Sequence, residues 1–78
     1  MELRSLDRLE DALAAYGDVE NRFPDYVPTY LMAGQVATAL DRPEVARKWL
    51  EKGVDVARRA GDSKTLSELQ DALDTLSK

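Results

Sequence analysis

A predicted helical hairpin in residues 25–61 constrains the fold of this chain more than any other stretch. Helix-forming residues run from 26 to 40, Pro43 interrupts them, and a second run extends from 44 to 60. Small residues recur along both runs, at Ala33, Gly34, Ala46 and Gly53. Because side chains of almost no size let two antiparallel helices approach closely, this pattern predicts a tight contact between them.

Composition indicates one small folded domain with few reactive side chains. The chain has 78 residues, of which 44% are hydrophobic and 33% charged, a balance typical of a globular domain. It has no Cys and no His, so it offers no disulfide, no thiolate ligand and no imidazole base. The N-terminal residues show no continuous apolar run, so we expect no signal peptide, no membrane span and a cytoplasmic location.

Charge is distributed unevenly along the chain. With 11 basic and 15 acidic side chains the net charge is −4, which disfavours binding to nucleic acid or to anionic lipid. Residues 1–25 carry three basic and seven acidic side chains, whereas residues 42–60 carry six basic and three acidic ones. We therefore expect the basic face of the third helix to pair with the acidic first helix rather than with phosphates.

Proline and capping residues predict where the first two helices begin and end. Helix 1 is expected over residues 5–22, with Ser5 as its N-cap, because the residue before Pro24 is disfavoured in helical geometry. Asp25 is expected to cap helix 2, and Pro28 falls in the first turn, where its missing N–H has no intrahelical partner to lose.

The third helix has signals at both of its ends. Pro43 opens it, and Asp41 and Glu44 have the spacing of a reciprocal capping pair. Gly61 is expected to adopt the left-handed conformation that closes the helix near residue 60.

Helix 4 has the pattern of a helix that closes a core. Asp62 or Ser63 is expected to cap it. Its narrow apolar stripe consists of Leu66, Leu69, Leu73 and Leu76. Since all connections are short and no stretch alternates with a period of two, neighbouring helices are antiparallel and the chain is all-α.

The sequence contains an internal repeat. A shift of 34 residues brings Ala12 onto Ala46 and Tyr16 onto Leu50, which makes helices 1 and 3 equivalent. A shift of 36 residues makes helices 2 and 4 equivalent, through the pairs Tyr30 and Leu66, Ala33 and Leu69, Ala37 and Leu73, and Leu40 and Leu76.

In these positions the chain resembles the tetratricopeptide repeat (TPR) family. The slots of one full unit are filled by Tyr30, Ala33, Gly34, Ala37, Ala46, Leu50 and Gly53. Those of a preceding half unit are filled by Ala12, Tyr16, Val19 and Pro24. The resemblance implies a short right-handed solenoid of four helices in a single domain over residues 1–78. It comprises a half unit at about 5–24, a full unit at about 27–60 and a capping helix at about 63–77.

The sequence departs from the family pattern in ways that leave a second architecture open. Ala33 and Ala37 are smaller than the usual residues, and Arg58 stands where a unit-ending proline is expected, which predicts a third helix longer than the first. The alternative is an ordinary four-helix bundle. Helices 1 and 4 would touch in a bundle and lie apart in a solenoid.

The acidic residues do not form a recognisable catalytic or metal site. Asp7, Glu10 and Asp11, like Asp71 and Asp74, fall at spacings typical of a solvated helix face. No serine has a basic partner, and no loop has the glycines or ligand spacing of a phosphate or cation site. We expect no enzymatic activity, no cofactor and no metal.

The aromatic residues divide into two groups. Tyr16, Phe23 and Tyr30 lie in or beside repeat slots and are expected in the core. Trp49 lies beside the core position Leu50 and is expected to be half exposed, either against the chain end or as an anchor for an oligomer or partner.

The family resemblance implies a protein-binding scaffold whose concave face holds an extended peptide or a partner helix. Helix 2 would present Leu31, Gln35 and Thr38. Helix 4 would present Lys64, Ser67, Asp71 and Asp74. Leu31 and Gln35 stand where some members clamp a terminal carboxylate with Lys and Asn, so the expected partner is a neutral or basic segment.

Two other interpretations remain open. The apolar edge of helix 1 predicts a self-associating scaffold, with an oligomer surface formed by Leu3, Leu6, Leu9 and Trp49. The chain is also consistent with a piece of a longer repeat array.

Overall fold

Four helices make up the part of the chain that the structure describes. The computed structural model describes the backbone of residues 2–77 and the side chains of residues 7–77. The helices are α1 (Glu2–Arg22), α2 (Val27–Ala39), α3 (Pro43–Ala60) and α4 (Ser63–Ser77). No strand occurs in the described residues, and the all-α prediction is confirmed.

The helices are stacked in the order expected of a solenoid. Helix α2 contacts α1, α3 and α4, and α3 also contacts α4. Within the described residues α1 and α4 make no backbone contact, which excludes the closed four-helix bundle. Each helix therefore packs on its neighbours along the stack, as repeat architectures do.

The seam between α2 and α3 is built from small residues, as predicted. Ala33 and Ala46 are fully buried, and Gly34 and Gly53 are also buried. A Cβ at Gly53 would lie 2.6 Å from the Cβ of Tyr30 on α2 and 2.9 Å from a methyl group of Leu69 on α4. Gly53 thus lies where three helices converge.

Tyr30 is the one aromatic residue among the buried core residues that the structure describes. It is 2% exposed, and its hydroxyl donates a hydrogen bond to the carbonyl oxygen of Pro24, which ties α2 to the turn after α1. The core cluster around it consists of Val27, Leu50, Val56, Ala57 and Leu69. Burial, and then the negative charge of Glu20, raise the pKa of the Tyr30 hydroxyl above its usual value.

The prediction for Phe23 is wrong. Its side chain is 63% exposed, because α1 ends at Arg22 and Phe23 lies in the turn that leads to α2, where no helix covers it. Tyr16 is only half buried, whereas Tyr30 lies in the core as expected.

Three predicted N-caps are also wrong. Helix α1 begins at Glu2, so Ser5 lies within the helix, and α1, with 21 residues, is longer than α3, with 18. The N-cap of α2 is Tyr26 rather than Asp25, and no side chain caps it. The N-cap of α3 is Arg42, also without a side-chain bond, so Asp41 and Glu44 do not form a capping pair.

The position of Asp41 explains the last of these differences. Its φ is 60°, and its N–H and that of Arg42 donate to the carbonyls of Thr38 and Ala37. These two backbone hydrogen bonds form the pattern that closes a helix, so Asp41 ends α2 and does not start α3.

The end of α3 and the start of α4 follow the prediction. Gly61 has a φ of 72°, and the N–H groups of Gly61 and Asp62 bond the carbonyls of Arg58 and Ala57. Asp62 then accepts a hydrogen bond of 3.1 Å from the N–H of Thr65, so it caps α4.

Two ion pairs join the acidic helix α1 to the basic stretch of residues 42–60. Arg42 bonds Glu10, and Lys52 bonds Glu20, each at 3.0 Å. The predicted pairing of the two oppositely charged elements is therefore confirmed.

Candidate functional site

The clearest concave feature on the predicted binding side is a groove between α2 and α4. Its volume is about 290 Å³. It is lined by Gly34, Gln35, Thr38, Leu50, Ala72, Thr75 and Leu76. We call these residues the α2–α4 groove.

The floor of the groove is apolar because Gly34 has no side chain. Leu50 projects from α3 toward the Cα of Gly34 and forms part of the lining, although it is only 1% exposed. Leu76 and Ala72 continue this apolar surface on α4 and are half buried. A ligand in the groove would contact the outer edge of the core.

The two threonines of the groove offer acceptors rather than donors. The hydroxyl of Thr38 donates to the carbonyl of Gly34 at 2.8 Å, and that of Thr75 donates to the carbonyl of Asp71 at 3.0 Å. Each hydroxyl has one proton, so its oxygen remains available only as an acceptor. These two hydroxyls therefore favour a ligand that donates hydrogen bonds.

The predicted concave residues divide between the groove and the surface beside it. Gln35 and Thr38 line the groove, and Leu31 is half buried against the core. The four residues predicted on α4 are exposed but do not line it, namely Lys64, Ser67, Asp71 and Asp74.

The groove uses different faces of its two helices, which explains this difference. Three of the residues predicted on α4, Ser67, Asp71 and Asp74, are the equivalents of Leu31, Gln35 and Thr38 under the 36-residue shift. A contact between successive units of a stack is head to tail, and it joins the leading edge of one helix to the trailing edge of the next. Equivalent residues therefore cannot both line it.

Ala72, Thr75 and Leu76 were missed as groove residues for the same reason. Leu76 belongs to the apolar stripe of α4. Its spacing alone does not show whether such a residue packs in the core or lines the groove. The bond from Thr75 to Asp71 places these two residues on one side of α4, since positions four apart share a helix face. Asp71 thus lies one turn from the groove.

The charge around the groove is acidic. Helix α2 contains no charged residue, whereas α4 contributes Glu68, Asp71 and Asp74 against Lys64. At the start of α4, the hydrogen bonds from Thr65 and the nearby charge of Lys64 lower the pKa of Asp62 below its usual value. The three acidic side chains of α4 against its one lysine favour a cationic ligand over an anionic one.

The residues of the second predicted surface are not all described. Leu3 and Leu6 have side chains outside the described residues, and Leu9 is half buried. Trp49 is half buried as predicted, with its ring centre 5.9 Å from that of Tyr30. Its role as an anchor stays a prediction.

The described residues contain no group of three or more carboxylates placed to hold a metal ion. None of the described helices combines the length and apolar character that crossing a bilayer requires.

Solved structures similar to this chain are helical repeat domains. A solution NMR structure of a tetratricopeptide repeat domain protein from Salinibacter ruber is 39% identical, with a TM-score of 0.84, over 96% of this chain and 76% of that one. A crystal structure of a tetratricopeptide repeat domain protein from Salinibacter ruber is 38% identical, with a TM-score of 0.83, over 97% of this chain and 85% of that one. No protein-family model matches the chain, and no curated protein matches it.

Proposed function

Because the chain belongs to the tetratricopeptide repeat family, we propose that it is a non-catalytic protein-interaction module that binds an extended peptide or a partner helix on its concave face. The observation that carries this proposal is the α2–α4 groove, whose apolar floor is flanked by hydroxyl and amide groups. Such a combination suits a peptide, since a side chain fills the apolar part while polar groups fix its register.

The chemistry of the groove favours a neutral or basic segment. Thr38 and Thr75 supply acceptor oxygens, and Asp71 and Asp74 add carboxylates on the exposed side of α4. A lysine or arginine side chain donates hydrogen bonds and carries the complementary charge. An acidic segment would meet repulsion, and the two threonine hydroxyls would offer no donor to its carboxylate oxygens.

We propose that the binding surface extends from the groove over the exposed faces of both helices. On α2 it comprises Leu31, Gln35 and Thr38, and on α4 it comprises Lys64, Ser67, Asp71 and Asp74 beside Thr75 and Leu76. The groove would hold one apolar side chain of the ligand, and the flanking residues would contact the segments on either side.

A titration with two matched peptides tests the proposal. The peptides share an apolar centre and differ only in carrying lysines or glutamates around it. In a ¹H–¹⁵N correlation spectrum the lysine peptide is expected to shift the signals of Gln35, Thr38 and Thr75. The glutamate peptide is expected to bind at least about tenfold more weakly.

Charge reversal identifies the surface that binds. Asp71→Lys with Asp74→Lys is expected to lower affinity for the lysine peptide by about tenfold or more. The matched control is Asp11→Lys with Asp18→Lys, which changes the net charge equally on exposed positions of α1. Equal losses in both double variants, or shifts confined to α1 and α3, would contradict the assignment to the groove.

A further inference from the structure

The first helix is the least covered element of the described chain. None of its side chains between Asp7 and Arg22 is buried, and none belongs to the core cluster. The other three helices each contribute buried residues. The apolar stripe of α1 therefore packs only partly against the rest of the molecule.

The 34-residue repeat shows what α1 lacks. Leu50 and Ala57 on α3 are 1% and 0% exposed, whereas their equivalents Tyr16 and Phe23 are half buried and 63% exposed. The backbone of α3 lies close to those of α2 and α4, whereas the backbone of α1 lies close to that of α2 alone. The ion pairs of α1 with Arg42 and Lys52 are made by long side chains. The same positions thus form the core in one helix and remain open in the other.

At the end of α1, these uncovered residues border an apolar depression at the turn between α1 and α2. Phe23 and Tyr26 are 63% and 59% exposed there, the two highest values among the large exposed hydrophobic residues. The depression has a volume of about 720 Å³. It is lined by Val19, Arg22, Phe23, Pro24, Asp25 and Tyr26, and we call it the aromatic depression. Exposed aromatic rings that line one depression are typical of interaction surfaces.

We propose that the aromatic depression is the interface of a homodimer, in which a second copy of this chain docks across a two-fold axis. In such an interface the same patch of both copies is buried, so Phe23 and Tyr26 of each copy pack against those of the other. Aromatic side chains are the residues that most often anchor such contacts.

The charges at the rim of the depression are self-complementary. Arg22 and Asp25 have opposite charges, and neither makes an ion pair with another described residue. A two-fold axis brings each residue of a patch against a different residue of the same patch. Arg22 of one copy can therefore face the partner's Asp25, and the contact forms twice.

The residues disfavour end-to-end stacking of α4 on the α1 of another copy. In the complete unit Gly34 admits Leu50, and a Cβ at Gly34 would lie 2.5 Å from that side chain. The equivalents of this pair in α4 and α1 are Gln70 and Tyr16, which leave no such space. Two copies stacked end to end could not reproduce the close contact between Gly34 and Leu50, so the two-fold arrangement is favoured.

Sedimentation velocity over a concentration series tests the dimer. The unmodified chain is expected to pass from monomer to dimer between about 1 µM and 1 mM. Phe23→Ser is expected to raise the dimer dissociation constant by about tenfold or more. Val45→Ser is the matched control, because Val45 is 36% exposed and does not line the depression. Helical circular dichroism checks that both variants fold.

A charge swap tests the two-fold axis itself. Arg22→Asp alone places two carboxylates against each other and is expected to weaken the dimer, as is Asp25→Arg alone. The double variant restores opposite charges and is expected to recover most of the dimer.

Three outcomes would overturn the proposal. The first is a strict monomer at about 1 mM, and the second is a dimer that Phe23→Ser weakens no more than Val45→Ser does. The third is a swapped double variant that dimerises as poorly as the single variants. Spectral shifts at Phe23 and Tyr26 on addition of an unrelated peptide, in a chain that stays monomeric, would assign the depression to another partner.

Discussion

Gly34 on α2 faces Leu50 on α3 so closely that a Cβ at residue 34 would lie 2.5 Å from Leu50 Cδ2 and 2.7 Å from Cγ. These distances are far shorter than a normal contact between carbon atoms. Leu50 is 1% exposed, so its side chain has little free space into which to turn. The missing side chain of Gly34 therefore sets how closely α2 and α3 approach, and it also opens the floor of the α2–α4 groove.

Replacing Gly34 with leucine should overfill this contact. We expect Gly34→Leu to lower the free energy of unfolding by about 1–3 kcal/mol, the usual cost of forcing extra atoms into a close-packed interior. Gly17→Ala is the control, because a Cβ there would meet nothing within 4 Å. That substitution should stabilise the protein by about 0.5–1 kcal/mol through helix propensity. Urea unfolding of both variants measures the difference, and equal shifts would contradict the close contact.

Gly53 should tolerate alanine less well than Gly34 does. A Cβ at Gly53 would lie 2.6 Å from Tyr30 Cβ, which is attached directly to the backbone of α2, whereas Gly34 meets the outer atoms of Leu50. Alanine gains about 1 kcal/mol of helix propensity at either position. That gain offsets part of the strain at Gly34, so Gly53→Ala should be less stable than Gly34→Ala by about 1 kcal/mol or more. Thermal unfolding that ranks them in the opposite order would refute this account.

The hydroxyl of Tyr30 should contribute to stability. Tyr30→Phe keeps the ring beside Trp49 but removes the hydrogen bond to Pro24 and leaves that carbonyl without this donor. We expect a loss of about 0.5–1.5 kcal/mol in the free energy of unfolding. Urea unfolding near neutral pH measures it. A variant as stable as the unmodified chain would show that the bond contributes nothing net.

The same hydroxyl predicts a pH dependence in alkaline solution. Burial raises the pKa of Tyr30 in the folded state above the ordinary value of 10.0. The stabilisation from the protonated hydroxyl is therefore complete below the unfolded-state pKa and is lost as pH rises through the folded-state pKa. The unmodified chain should lose stability more steeply above pH 10 than Tyr30→Phe does. Parallel slopes would contradict this cause.

Asp62 predicts the opposite dependence in acid. Its hydrogen bonds from Thr65 lower its pKa below the ordinary value of 3.8, so its contribution is present above that value and is lost as pH falls through the folded-state pKa. Asp62→Asn keeps an acceptor at the N-cap but does not titrate. The stability difference between the two proteins should therefore shrink between about pH 5 and pH 2. A difference that is constant over this range would exclude Asp62 as a source of acid sensitivity.

Helix positions were largely predictable because local residues encode them. Pro43 and Gly61 restrict backbone angles within one or two residues, and the observed bounds of α3, Pro43–Ala60, agree with the predicted ones. The predictions for Ser5, Asp25 and Asp41 were wrong because a short acidic or hydroxyl side chain suits several local structures. Asp41 illustrates this, since it closes α2 instead of capping α3.

The groove was only partly predictable. Gln35 and Thr38 were identified through their helix face, whereas Thr75 and Leu76 were not. The side of α4 that meets α2 depends on the rotation between successive units. The spacing of residues within one helix does not determine that rotation.

The amino-acid sequence by itself determined four antiparallel helices, their repeat and the small residues of the α2–α3 seam, because periodicity and backbone restriction act over a few neighbouring positions. Only the tertiary structure decided which faces line the groove and which apolar residues stay uncovered. Tyr16 and Leu50 occupy the same repeat position, yet only Leu50 is enclosed, because the backbone of α3 lies close to two helices and that of α1 to one. Burial is a property of the neighbours that a residue meets, and those neighbours come from distant parts of the chain.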